Sequence, residues 1–303
     1  MPVPLFGVFP VLPTPFDAHG VPDEPALRRL VGYLLRCGVD GVTYPGVASE
    51  VAELAHDERV RLTALVFDEV GSRRPVIAGA SSPDAAVTIA LARAAAERGA
   101  AAVMIAAPAD RPSLAGQVEF FRAIAAQAPV AIMLQNAPPP AGAGLDPAVV
   151  LDVLRAVPAI RYVKEETLPS GQRLTALRER APATLSGVFG GAGGRYITDE
   201  LSRGAAGTMP AVELAEVHVA LFAAHRAGDE RRVRQLFTRM LPVLNTQAVF
   251  RWALTKHVLQ RRGLIACSAQ RAAGPRLDAL DRADVDAFLD DLADLLLPPE
   301  VLA

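Results

Sequence analysis

Lysine is nearly absent from this chain: of its 31 lysines and arginines, only Lys164 and Lys256 are lysine. Positive charge is therefore supplied by guanidinium almost everywhere, and an amine kept where arginine would serve is a chemical clue. Arginine stays protonated, whereas a lysine that loses its proton can attack a carbonyl and form a Schiff base. Cysteine is as scarce: Cys37 and Cys267 cannot build a disulfide framework and form no CxxC motif. The five histidines are scattered without metal-ligand spacing, so no metal is expected. A net charge of −2 removes the electrostatic reason to expect nucleic acid and leaves a small molecule as the expected partner. Charged residues interrupt every apolar stretch well short of the about 18 residues a membrane span needs. Residues 1–16 lack the basic region and apolar segment of a signal peptide, so a cytoplasmic protein is expected. A Walker A loop, a GxSxG elbow and a complete GxGxxG are all missing, and no cofactor is expected.

What is present is an alternation of short β-like runs with amphipathic or alanine-rich helical segments. The strand candidates are Gly7 to Leu12, Val39 to Thr43, Val76 to Ala80, Ala101 to Ala107, Val130 to Gln135, Ile160 to Glu165, Thr184 to Phe189 and Ala206 to Met209. The first intervening helix, predicted over Glu24 to Cys37, places Leu27, Leu30, Val31, Leu34 and Leu35 on one face. Eight such rounds fit an α/β fold of the (β/α)8 TIM-barrel type better than an open doubly wound sheet. Beyond Gly228 the pattern is wholly helical, with segments predicted over Glu230 to Leu244, Thr246 to Gln260 and Asp284 to Leu297. The expected organisation is a catalytic barrel over residues 1–227 and a C-terminal helical extension over 228–303.

Barrels of this kind gather function at the C-terminal ends of their strands. Lys164 lies at one of those ends, closing the largely apolar run Ile160-Arg161-Tyr162-Val163-Lys164. If it points inward, period-2 alternation sends Tyr162 inward and Val163 outward, and apolar surroundings favour the neutral, nucleophilic amine. The competing reading is a structural ion pair with Glu165, Glu166 or Glu50. Gly46-Val47-Ala48-Ser49 after strand 2 is a small-residue turn whose backbone N–H groups could hold a carboxylate, or an ordinary loop. Gly190 to Gly194 after strand 7 either lets a ligand approach the backbone closely or is a flexible turn. Trp252 reads as core, and His56 and His257 as surface or packed helix residues.

Together these pieces resemble the dihydrodipicolinate synthase / N-acetylneuraminate lyase family of Schiff-base-forming 2-oxo-acid enzymes. The matching residues are Pro13-Thr14-Pro15-Phe16-Asp17, Gly46-Val47-Ala48-Ser49-Glu50, Asp57-Glu58-Arg59, Gln135-Asn136-Ala137-Pro138, Val163-Lys164-Glu165 and Gly204-Ala205-Ala206-Gly207-Thr208. The resemblance implies that Lys164 forms the imine and that the barrel assembles as a homotetramer or homodimer. The departures matter as much. The threonine and two tyrosines of the family's hydroxyl relay correspond here to Val47, Gln135 and the neighbourhood of Ala109-Asp110, and the arginine that grips the aldehyde substrate's carboxylate corresponds to Pro140. Members similar to 2-keto-3-deoxy-sugar-acid dehydratases, particularly those acting on L-2-keto-3-deoxyarabonate, share the aliphatic pair Val47-Ala48, the glutamine of Gln135-Asn136 and a Lys-x-Glu arrangement like Lys164-Glu165-Glu166.

The chemistry expected from that resemblance starts with attack of Lys164 on the C2 carbonyl of a 2-oxo acid, or keto-sugar acid, whose C1 carboxylate is held by the Ala48 and Ser49 N–H groups. Glu166 acts as acid or base, and Gln135 hydrogen-bonds a sugar hydroxyl but cannot relay protons as a phenol does. Val47, Gly190 and Thr208 complete the expected substrate-binding set. Dehydration of a 2-keto-3-deoxy sugar acid is the leading expectation. The alternatives are a pyruvate-dependent aldolase, a synthase-like condensation, and a non-catalytic barrel that binds a 2-oxo acid.

Overall fold

The computed structural model describes residues 4–298. Eight parallel strands follow one another with helices between them: β1 (Gly7–Val8), α1 (Glu24–Cys37), β2 (Val42–Tyr44), α2 (His56–Val70), β3 (Val76–Gly79), α3 (Ala85–Glu97), β4 (Ala102–Ala106), α4 (Leu114–Ala125), β5 (Ile132–Asn136), α5 (Pro147–Ala156), β6 (Ile160–Glu165), α6 (Ser170–Arg180), β7 (Gly187–Gly190), α7 (Ile197–Ser202), β8 (Gly207–Thr208) and α8 (Ala215–Arg226). From β2 to β8 each strand pairs with the next, and β1 pairs with β8. The ring closes through Val11, which bridges both Thr43 and Ala211, with Thr43 donating to Pro10 O at 3.0 Å and Leu12 donating to Thr43 O at 3.0 Å. All eight predicted strands are present in a (β/α)8 barrel. Strand β1 is shorter than its apolar run because Pro10 and Pro13 lack the N–H that a continuous ladder needs.

Local chemistry sets the helix ends. Asp23 caps α1 by accepting from Ala26 N at 2.9 Å, and Gly38 ends it in the left-handed conformation at φ 77°. Asp84 and Ser113 cap α3 and α4 in the same way.

Strand alternation sorts the core into two layers. Phe9, Ile77, Met104, Met133, Tyr162, Phe189 and Met209 fill the barrel interior, where Phe189 meets Phe9 and Tyr162 edge-on at 5.7 and 6.2 Å. Val103, Ile105, Leu134, Val163 and Val188 face outward into the layer shared with the helices. Tyr162 thus points in and Val163 out, as expected with Lys164 inward.

The C-terminal helices are α9 (Glu230–Phe250), α10 (Trp252–Arg261) and α11 (Ala279–Asp290). Here the structure corrects the sequence reading: α9 runs through Thr246, and the break falls at Arg251, which has φ 45° and ψ −110°. Helix α11 starts earlier than expected because Asp278 accepts from Leu280 N and Asp281 N, and Asp281 reciprocates to Asp278 N. Residues 1–3 and 299–303 of the two expected segments lie outside the described residues. Among the described residues no helix is long and apolar enough to cross a membrane.

Candidate active site

Lys164 sits near the end of β6 and is 4% exposed, on the wall of a cavity of about 320 Å³ at the C-terminal mouth of the barrel. Glu166, two residues on, faces the same cavity, with Oε1 3.1 Å from Lys164 Nζ. Alternation settles which glutamate turns inward. Glu165 turns out and is fully buried, accepting from Asn136 Nδ2 at 2.8 Å, Thr167 N at 2.9 Å and Arg173 Nε at 3.3 Å. Burial pushes the Glu165 carboxyl above its ordinary range, against the pull of those partners. The surroundings of Lys164 are therefore not purely apolar: the sequence-level ion pair exists, with Glu166, inside the cavity.

Glu166 is held by three donors. Besides Lys164, Gln135 Nε2 donates to Oε2 at 2.7 Å and Ala192 N donates to Oε1 at 3.0 Å. Burial alone would raise this carboxyl, but the Lys164 charge and the hydrogen bonds outweigh it and hold it below the usual carboxylate range. Gln135 pairs with Lys164 in the β5–β6 register, so its amide reaches Glu166 from the adjacent strand. In this structure Gln135 orients the carboxylate.

The strand-2 loop forms a 3-10 turn over Val47–Ser49. Val47 and Ala48 line the cavity, but Ser49 is fully buried. The Ser49 hydroxyl donates to Leu12 O and accepts from Gly46 N, its carbonyl accepts from Thr14 Oγ1 at 2.8 Å, and its N–H donates to Gly46 O at 2.9 Å. Its N–H is thus already engaged, whereas those of Val47 and Ala48, at the start of the turn, make no hydrogen bond within the described chain. Two further expectations shift. Gly190 lies against Glu200, whose carboxylate occupies the space a Cβ would need, and the glycine that makes room for the Lys164–Glu166 pair is Gly191. A Cβ on Gly191 would come within 2.5 Å of Glu166 Oε1 and 2.7 Å of Lys164 Cε. Thr208 is buried, with a hydroxyl that finds no partner, and it stands behind Met209, which is the residue on the wall.

The opposite wall escaped the sequence reading. Gln247, Arg251, Trp252 and Thr255 from α9 and α10 close over the barrel, joined by Arg195 after β7. Trp252 is a wall residue rather than core, and its indole Nε1 donates to Val47 O at 2.7 Å, locking the extension onto the strand-2 loop. A second chamber of about 460 Å³, lined by Pro138 to Ala141 and by residues 50–53, shares Val47, Glu166, Arg195, Arg251 and Trp252 with the first.

The other lysine is sealed. Lys256 is 1% exposed, donates to Glu50 Oε1 and to Ala269 O at 2.7 Å, and lies 4.2 Å over the Phe16 ring. Burial pulls it down to about 8, with Glu50 acting in the opposite direction, so it remains a cation at neutral pH. The Glu50 Oε2 atom accepts from Arg271 N and Ala272 N, both at 2.7 Å, so Glu50 is a clamp between loop and extension. Lys164 is the only lysine that meets the cavity.

A buried amine beside a carboxylate at the mouth of a (β/α)8 barrel is the arrangement a class I lyase needs, since such enzymes work through a lysine Schiff base. Comparison with known proteins narrows this. The chain belongs to the dihydrodipicolinate synthetase family, whose model matches residues 4–288. It is 34% identical over 218 residues to the 4-hydroxy-tetrahydrodipicolinate synthase of Moorella thermoacetica, covering 72% of this chain and 70% of the relative. It is 28% identical over 240 residues to the enzyme of that name from Maridesulfovibrio salexigens, covering 78% and 81%. The crystal structure of dihydrodipicolinate synthase from Rhodopseudomonas palustris superimposes with a TM-score of 0.87 at 29% identity, over 95% of this chain and 97% of the other. The protein is thus an aldolase-type lyase of the Schiff-base class.

Proposed function

We propose that Lys164 is the Schiff-base residue and that the enzyme dehydrates a 2-keto-3-deoxy sugar acid. The observation that carries this is the Lys164–Glu166 pair at 3.1 Å: among the described residues Glu166 is the one acid on that cavity wall, and the Thr255 hydroxyl there is turned to Glu213. On entry of the 2-oxo acid, Glu166 takes a proton from Lys164, and the freed amine attacks C2 while the N–H groups of Val47 and Ala48 receive the C1 carboxylate. Protonated Glu166 then returns its proton to the departing carbinolamine oxygen, which leaves as water and forms the imine. Glu166, ionised again, removes the C3 proton, and the electron pair delocalises into the enamine. Collapse of the enamine expels the C4 hydroxyl, which takes the same proton from Glu166 and leaves as a second water, with a C3–C4 double bond conjugated to the imine. Hydrolysis releases the product and restores Lys164.

Gln135 supports elimination over condensation because its amide fixes Glu166 and cannot pass a proton to an incoming aldehyde. The second reading is aldol chemistry, in which the same enamine makes or breaks the C3–C4 bond; the names of the relatives favour it. Incubation with 2-keto-3-deoxypentonic acids separates the two. Consumption without pyruvate supports dehydration, and stoichiometric pyruvate release contradicts it. Assembly as a homotetramer or homodimer is part of the proposal and is read by light scattering.

A further inference from the structure

We propose that the substrate carries a second anionic group, at the end remote from its 2-oxo acid terminus, and that Arg195 and Arg251 hold it. This rests on the imine reading for the position of C2 but concerns different residues. Lys164 and Glu166 cancel each other's charge, and among the described residues neither arginine has a carboxylate within ion-pair distance. Arg195 donates Nη1 to the neutral Gln247 Oε1 at 2.7 Å. The Arg251 guanidinium lies 4.9 Å over the Trp252 ring and is exposed. Two other arginines on the same side of the barrel are neutralised, Arg173 by Glu165 and Arg271 by Glu58. The carboxyl that senses Arg195 electrostatically is Glu213, which accepts a hydrogen bond from Thr255 Oγ1 at 3.1 Å and which burial pushes up to about 7.

Position and backbone add to the charge argument. Both arginines line both chambers, so they flank the neck between the Lys164 cavity and the proline-lined one. Arg251 is also the break between α9 and α10, in a positive-φ conformation that strains a non-glycine residue. Glycine would relieve that strain, and the chain carries a guanidinium there instead. Beyond the neck the acids are Glu50, neutralised by Lys256, and Glu53, so an anion is best placed at the neck itself. Guanidinium pairs bind carboxylate and phosphate oxygens bidentately. They restore from the opposite wall a positive charge where the strand-5 side has Pro140.

The test is borohydride trapping on the full chain, with half-trapping concentrations measured for 2-oxoglutarate and for 2-oxopentanoate, which has the same length without the second charge. The wild-type protein is expected to trap the dianion at a concentration about tenfold or more lower, the worth of one charge-assisted bidentate contact. Arg195→Gln and Arg251→Gln should each shrink this ratio several-fold and together bring it to about one, with Arg251→Lys retaining part of it. The ratio cancels any general loss of imine formation in a variant. A wild-type ratio near one, or a ratio that survives the double substitution, overturns the inference. Trapping of 2-oxo-4-phosphonobutanoate at lower concentration than 2-oxoglutarate assigns the terminal group as phosphate, and the reverse order assigns it as carboxylate. Pyruvate runs alongside: if it is trapped and the ratio is one, only the second-anion site fails, whereas absence of pyruvate trapping removes the imine reading and this inference with it.

Discussion

At the residue scale, the proposed chemistry turns on two side chains whose charges compensate, Lys164 and Glu166. A carboxylate held below its ordinary range is a base at neutral pH and becomes an acid only after it has taken a proton, which is the order the imine route needs. The expected pH dependence follows from the sign of that shift. Ionised Glu166 is present above its lowered pKa and lost below it, so the acid limb of kcat/KM should lie below the ordinary glutamate range. A pH–rate profile checks this; an acid limb near pH 6 would assign the base to a different group. Glu166→Gln should lower kcat by about 10²- to 10⁴-fold, as loss of a general acid–base does. Retention of near-wild-type kcat would reduce Glu166 to a structural counterion.

At the scale of elements, the extension is part of the site because two long-range links tie it to the strand-2 loop: Trp252 to Val47, and the Glu50–Lys256 pair with the Arg271 and Ala272 N–H groups. Removing one partner of a buried pair leaves an uncompensated charge, so Lys256→Met should cost about 3–5 kcal/mol in urea unfolding. Adding Glu50→Gln should recover most of that loss, and a double variant no better than the single would show that the pair is not the relevant contact. The same links explain what was legible in the sequence. The inward path of Tyr162 and Lys164 follows from a period of two along one strand, and the Glu24–Cys37 helix from its apolar face, because both are local patterns; the choice between Glu165 and Glu166 is open in the sequence and is settled only at the strand end in the structure. Arg195, Gln247, Arg251 and Trp252 reach the cavity through contacts between distant segments, with Trp252 and Val47 separated by 205 positions. Nothing in the local pattern of α9 and α10 marks those residues, and the break at Arg251 carries no glycine or proline to announce it. Ser49 was misread for a related reason: a motif names the loop but not which of its N–H groups the turn has already used.

For the molecule as a whole, buried carboxyls away from the cavity set the pH dependence of stability. Burial raises Glu200 to about 7, with Ser170 pulling the other way, and burial likewise raises Glu213 to about 7. A folded-state pKa above the unfolded value means that the folded protein holds protons the unfolded chain releases. Their contribution is fully present below the ordinary glutamate value of 4.5 and is lost as pH rises through 7. The melting temperature should therefore fall between pH 5 and pH 8, on the order of 3 kcal/mol of stability being at stake for each group. Glu200→Gln should flatten that decline and raise the melting temperature at pH 8 while changing little at pH 4.5; an unchanged slope would mean that Glu200 is solvated or paired in solution.

Lys164 is the proposed Schiff-base amine, and the scarcity of lysine makes the assignment simple to check. Lys256, whose amine burial has lowered to about 8, is the competing amine, yet it is sealed behind Glu50 and Phe16. Borohydride reduction in the presence of pyruvate, followed by peptide mapping, decides between two lysine-bearing peptides. A reduced pyruvyl adduct is expected on Lys164, abolished together with turnover in Lys164→Arg. An adduct on Lys256, or turnover that survives Lys164→Arg, would contradict it.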